Sequence, residues 1–519
     1  MLYIMNGKDD ARYIAMLEEI GDLIDVAERS SIVDSDSYKF YSSVLSGIYR
    51  GLSDRELFTL FSIHTAIQMY INTLTAIALE RGEDPLEICS GDATVDYLVP
   101  IPQLLWWRDL AERGEEKILK ICLEVISRAR SLNKRDLLEI DLMSKLYEDL
   151  INKMLRYHSG EYYTPRWITE LVIERLKAMG AHFTDELIID PSCGSGRFLV
   201  SILRRKIAEG ADPVHAYYEI LGLDINPLAV AMARARLPVV YKLLVGSEPP
   251  GAPTILWGDF ISHSLSNRYL GIPSDLYSAL LNIVIKSLIM RSTGIGGDKI
   301  YTAGHIVNIH NSIIDMLDSL WKEISERGSK VPCKSANSVV DMIYNKIYRS
   351  IPQKLRNEFA HFIERHGGGL GILILSSAIL RDILKALNIP KPGIAVTNPP
   401  WLEINELPRN EWGRTIRKYV KSEYIGKYGL PRQAAQKGDL SAVFLDLMLG
   451  FIRDRGYVGI VLPAGQSYSG SITPHGAGKL LTYMVLEKWD CEGEILYLGD
   501  VFRHGIHASI AIVRRGGGL

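Results

Sequence analysis

Asp190-Pro191-Ser192-Cys193-Gly194-Ser195-Gly196 forms a turn that follows an apolar run and opens a helical pattern. Glycine at 194 and 196 lets the backbone come close to a ligand at the carboxyl end of a strand. The third glycine of a dinucleotide fingerprint is replaced by Leu199, which disfavours a pyrophosphate. The next run ends in Gly222-Leu223-Asp224-Ile225-Asn226, with an acid where a ribose offers its hydroxyls. A third ends in Gly258-Asp259-Phe260, a carboxylate beside an aromatic face suited to an adenine ring. Any one of these acids reads equally well as a turn former. Three on consecutive strand tips describe a site for a nucleoside without phosphates. A fourth tip is Thr397-Asn398-Pro399-Pro400-Trp401. Its two prolines fix the backbone and remove two donors, leaving the carbonyls of Asn398 and Pro399 to accept from an amino group. Trp401 offers a flat face for stacking. Taken alone, this segment is also a stiffened turn with a core tryptophan.

The elements that must position these residues follow from periodicity. Short β-rich runs at 187–190, 220–224, 254–257, 393–397, 457–462, 494–498 and 507–513 alternate with helical patterns at 197–208, 227–236, 441–452 and 479–488. That rhythm predicts an α/β, doubly wound, seven-stranded sheet. Residues 1–150 show three-and-four spacing of apolar residues and predict an N-terminal helical domain; residues 151–519 predict a catalytic domain. Between the third and fourth strands the rhythm stops. Residues 262–392 are too long for a loop and predict a mainly helical insertion, broken at 294–297 and 367–369 and seated against the catalytic face.

Composition excludes several classes. Hydrophobic residues make up 47% and charged residues 23%, so disorder is not the main state. The formal net charge of -2 is not that of a small basic nucleic-acid module, although charge can be segregated by face. Five scattered cysteines without a CxxC pair fit a reducing cytoplasm and no disulfide framework. No metal cluster and no membrane span is expected. Glu115-Glu116-Lys117 holds a short piece of a nuclease motif but lies in a helical run without a partner.

In this order the motifs resemble those of the S-adenosylmethionine-dependent N6-adenine DNA methyltransferases of restriction-modification systems. The resemblance covers about residues 137–515 apart from the insertion. It implies cofactor contacts at Tyr163, Thr164, Asp190, Ser192, Gly194, Gly196, Asp224, Ile225, Asp259 and Phe260. It implies catalytic roles for Asn398, Pro399, Pro400 and Trp401, with no metal. Ser192 stands where the family usually has Ala, and Trp401 where Tyr or Phe is commoner. Gly438-Asp439-Leu440 with Phe444, then Gly459-Ile460-Val461-Leu462-Pro463, resemble the later motifs.

The implied activity is site-specific methyl transfer to N6 of adenine in double-stranded DNA. Residues 404–437 carry eight Lys and Arg against three Glu, 8 − 3 = +5, and are candidates to line the DNA groove; a solvated mixed-charge face is the other reading. No base-reading module is recognisable. A separate specificity or target-recognition subunit is therefore an expected partner, unless the insertion or residues 1–136 read the groove. Two rival readings are a methyltransferase for RNA guanine N2 or protein glutamine, and a DNA-binding defence subunit that no longer methylates.

Overall fold

The computed structural model describes residues 11–49, 51–98, 101–131, 164–265, 267–292, 303–325, 353–386, 389–466, 479–502 and 506–517. Tyr163, the end of the N-terminal helical pattern at 132–150, the glycine break at 294–297 and Cys333 lie outside these residues.

The seven strands are β1 Ile188–Asp190, β2 Ile220–Asp224, β3 Thr254–Trp257, β4 Ile394–Thr397, β5 Tyr457–Pro463, β6 Glu492–Phe502 and β7 Ile506–Arg514. They form one sheet in the order β3-β2-β1-β4-β5-β7-β6. Pairs from β3 to β5 are parallel, while β7 runs antiparallel to both neighbours. The sheet is the doubly wound one expected. Strand order reverses between β1 and β4, so a crevice opens at their carboxyl ends, where such folds hold ligands. β1, β3 and β4 are buried throughout, as strands covered on both faces must be.

Two lengths differ from expectation. The Pro227–Val245 helix passes through Pro238, where the pattern suggested a stop at 236. An interior proline removes a backbone donor and strains the preceding turn. Here both faces of the helix are buried. Val230, Ala233, Leu237 and Val240 join the core cluster around the sheet. Leu228, Ala229, Ala231, Met232, Ala235 and Val239 join a second cluster formed with the N-terminal helices. This packing offsets the loss. β6 is longer than its apolar run because it is a half-exposed edge strand, bulged near Tyr497 and Gly499.

The N-terminal residues form helices Ala11–Arg29, Asp36–Ile48, Asp54–Leu79 and Glu116–Ser131, with short helices between them. Within the Asp54–Leu79 helix, Gln68 donates to Asn72 at 2.7 Å, and Asn72 donates to the Cys89 carbonyl at 2.9 Å. Lys117 pairs with Asp22 at 2.8 Å.

Between β3 and β4 the described residues are helical, with long helices Ser274–Ser292, Ala303–Ser325, Gln353–His366 and Gly369–Ala386. The last two are separated at Gly367 and Gly368, with φ 89° and 58°. These helices sit on the tip of β3. His310 Nε2 meets the Trp257 carbonyl at 2.7 Å, and the Asp259 N–H donates to Ser377 Oγ at 3.0 Å. Among the described residues, no single helix is long and apolar enough to cross a membrane.

Candidate functional site

The turn after β1 is held by the tip of β2. Gly194, at φ 51°, directs its N–H to Asp224 Oδ2 at 2.8 Å, and the Asn226 N–H reaches Asp224 Oδ1 at 2.8 Å. The loop is braced from behind by Arg236, whose guanidinium donates to the Ser195 carbonyl at 3.1 Å. Asn226 caps the next helix through the Leu228 N–H at 3.0 Å. At the tip of β3, Asp259 caps a short helix through the Ile261 N–H at 3.2 Å and the Ser262 N–H at 3.1 Å. At the tip of β4, the Thr397 hydroxyl meets Ser192 Oγ at 2.5 Å, which ties the β1 turn to Asn398.

These tips meet in one pocket. Thr164, Asp190, Ser192, Gly194, Asp224, Ile225, Asp259, Phe260, Asn398 and Pro400 all line it. Gly196, Pro399 and Trp401 do not. Gly196, at φ 82°, starts the Arg197–Ala208 helix, and a Cβ there would stand 3.0 Å from the Ala233 Cβ. It is a packing glycine that lets two helices approach. Trp401 is buried, with its ring edge-on to Phe502 at 4.9 Å.

Burial sets the electrostatics. It pushes the Asp190 carboxyl up to about 8, against bonds from Thr397 and the Ser192 N–H. It pushes Asp224 up to about 6, against three backbone N–H donors. Asp259 is also raised by burial, against Ser262 and Trp412. Three acidic side chains around one pocket are thus held by fixed donors. Beside them stand apolar faces: Ile225, and Phe260 stacked on Phe444 at 5.9 Å. Hydroxyl-accepting acid, amino-accepting acid and aromatic wall fit the three parts of an uncharged nucleoside.

The pocket has walls that sequence reasoning missed. Gly47 and Ile48 of the Asp36–Ile48 helix line it, as does Leu370 of the Gly369–Ala386 helix. These helices are joined by the Gly369 N–H to Ser43 Oγ bond at 2.8 Å. Tyr49 accepts from Asn226 at 3.1 Å. Trp412 is a further wall, and its indole N–H donates to Asp259 Oδ2 at 2.9 Å. No motif marked these residues; only the three-dimensional contacts single them out. Leu440 and Phe444, of the Gly438-Asp439-Leu440 motif and the residues after it, also line the pocket. Asp439 caps their helix through the Ser441 N–H at 2.8 Å.

The basic segment 404–437 leaves the wall just past the fourth tip. Arg414, Lys427 and Lys437 pair with Glu411, Glu423 and Glu403. Arg417 donates to the carbonyls of Leu407 and Pro408. Arg409, Lys418, Lys421 and Arg432 are exposed and make no ion pair among the described residues.

Residues 138–239 match the model of the N-6 DNA Methylase family. Over 100 residues the chain is 33% identical to the Type I restriction enzyme MjaIX methylase subunit of Methanocaldococcus jannaschii, covering 19% of this chain and 17% of that one. Over 110 residues it is 36% identical to the adenine-specific methyltransferase PglX of Streptomyces coelicolor, covering 19% and 9%. These matches therefore span less than a fifth of either relative. The ATP-dependent Type ISP restriction-modification enzyme LlaBIII, solved bound to DNA, matches with a TM-score of 0.53 at 12% identity, over 99% of this chain and 29% of that chain. At that identity the likeness is one of fold.

Proposed function

We propose that this chain transfers a methyl group from S-adenosylmethionine to N6 of adenine in DNA, as part of a restriction-modification or related defence system. The observation that carries the reading is the meeting of four strand tips in one pocket, with Asp190, Asp224, Asp259 and Asn398 around it. The family match of residues 138–239 and the adenine-specific methyltransferase among the relatives favour this substrate over RNA guanine or protein glutamine.

S-adenosylmethionine supplies the electrophilic methyl group. Asp224 takes the ribose hydroxyls, and Asp259 with Ile225 and Phe260 takes the adenine ring. Thr164, Ser192 and Gly194 take the methionine end, a role that the motif resemblance also gives to Tyr163. The target base leaves its stack to reach the pocket. The Asn398 side-chain oxygen and the Pro399 carbonyl accept the N6 hydrogens, which turns the nitrogen lone pair toward the methyl carbon. Pro399 and Pro400 hold that turn rigid, so positioning dominates the rate. Trp401 borders the base, and its buried, edge-on ring turns to stack. Arg409, Lys418, Lys421 and Arg432 meet the DNA backbone, which positions the duplex without reading sequence. A specificity subunit or further chain supplies base reading.

The test is Asn398→Ala. Methyl transfer should fall below detection while the dissociation constant for S-adenosylhomocysteine stays within about threefold, since Asn398 touches only the target amino group. Lost cofactor affinity with normal turnover at saturation would contradict the assignment.

A further inference from the structure

The 404–437 segment is an excursion from the wall of the pocket. It departs after Leu402 and returns at Leu440, and both residues line the pocket. The ends are clasped by the Leu440 N–H to Leu402 carbonyl bond and the Ile404 N–H to Gly438 carbonyl bond, each 2.8 Å. The first helix of the excursion, Glu411–Val420, runs on into a π-helical turn, Lys421–Lys427. Thr415, Ile416, Tyr419 and Val420 face inward. Arg414, Lys418 and Lys421 are exposed and lie three and four residues apart, forming one basic stripe roughly 10 Å long.

Both ends of this helix are fastened to groups that shape the pocket. Near its start, Trp412 donates to Asp259 Oδ2. Near its end, the Tyr419 hydroxyl donates to Asp446, which also accepts from Lys488 at 2.8 Å and Trp489 at 2.7 Å. Asp446 is buried in the Leu440–Phe451 helix, two residues beyond the pocket residue Phe444. The Asp446 end is locked by three donors. The Trp412 end hangs on a carboxylate that faces the pocket.

We propose that Trp412 is a positioning residue that couples the two ligands of the function proposed above, on which this inference rests. Asp259 is shared between the indole and the adenine side of the cofactor. A ligand that packs against Trp412 and Asp259 holds the indole on its carboxylate, and so fixes the seat of the basic stripe. Without it, the start of the helix has two positions, with the indole on or off Asp259. Only one of them presents the stripe as described. Coupling between sites requires such a difference in contact and acts equally in both directions. Cofactor therefore tightens DNA binding, and DNA tightens cofactor binding by the same factor.

The experiment uses the full chain and Trp412→Phe, which keeps an aromatic ring and removes the N–H. Dissociation constants for S-adenosylhomocysteine are measured with and without a saturating short mixed-sequence duplex, and the reverse pair for the duplex. The unsubstituted chain should show coupling of about tenfold, and the variant close to none, whatever its affinity for each ligand alone. A merely structural role would lower the melting temperature and leave the coupling ratio unchanged. Undiminished coupling in the variant, or no coupling in the unsubstituted chain, overturns the proposal while the function stands. Failure of the unsubstituted chain to bind either ligand overturns both. Hydrogen exchange on the unsubstituted chain gives a check that needs no variant: amides of residues 411–420 should gain protection when S-adenosylhomocysteine is added, and no gain overturns the proposal.

Discussion

Replacing Asp224 by Asn probes the cofactor side of the site most sharply. The carboxylate already accepts N–H groups from Gly194 and Asn226, each at 2.8 Å, so it is fixed in place before a ligand arrives. Asparagine keeps one acceptor oxygen but turns an NH2 group toward one of those donors. It also removes the charge. A hydrogen bond to a charged acceptor contributes about 1.5–3 kcal/mol, so affinity for S-adenosylhomocysteine at pH 7 should fall roughly 10- to 150-fold. The pH dependence gives a second signature. Burial pushes Asp224 up to about 6, and only its ionised form is the strong acceptor. As pH falls from 7 to 5 the ionised fraction drops about tenfold, and affinity should drop with it. Asp190, pushed up to about 8, is largely neutral across that range and contributes little change. The variant should show a flat profile that approaches the unsubstituted one at low pH. Equilibrium titration at several pH values measures both. Equal affinities at pH 7, or the same slope in both proteins, would refute the reasoning that puts Asp224 on the ribose.

Other substitutions separate packing from binding. Gly196→Ala places a Cβ 3.0 Å from the Ala233 Cβ at φ 82°, and should reduce unfolding free energy by about 2–4 kcal/mol while the folded protein keeps its cofactor affinity; denaturant titration beside a binding titration decides it. Lys418→Ala with Lys421→Ala should weaken binding to any duplex alike, and should lower the slope of log affinity against log salt by about 1–2, since each lysine neutralises one phosphate. An unchanged slope would place these lysines on a solvated face.

Much of the sheet was legible because β1 to β5 pair in parallel and are covered on both faces, so each reads as a short apolar run closed by a turn. The tips read as a site because Asp190, Asp224, Asp259 and Asn398 stand at the same end of neighbouring strands. Less legible was whatever depends on contacts between distant segments. Pro238 suggested a break, and only the helices packed on the far side of Pro227–Val245 explain its continuation. Gly47, Ile48 and Leu370 carry no chemistry of their own and reach the pocket through tertiary packing. Trp412 stands in no motif, and its bond to Asp259 spans 153 residues of sequence. Gly194 and Gly196 read alike in the sequence; in the fold Gly194 lines the pocket, whereas a Cβ at Gly196 would meet Ala233.

Nucleoside analysis of DNA tests the central claim most directly. The purified chain is incubated with S-adenosylmethionine carrying a labelled methyl group and with unmethylated plasmid DNA, supplemented where needed by a specificity partner. The DNA is then digested and the labelled nucleoside identified by mass spectrometry. The account predicts label in N6-methyldeoxyadenosine, absent when Asn398→Ala is used. Label in another base, or in protein or RNA offered in the same reaction and not in DNA, would contradict it.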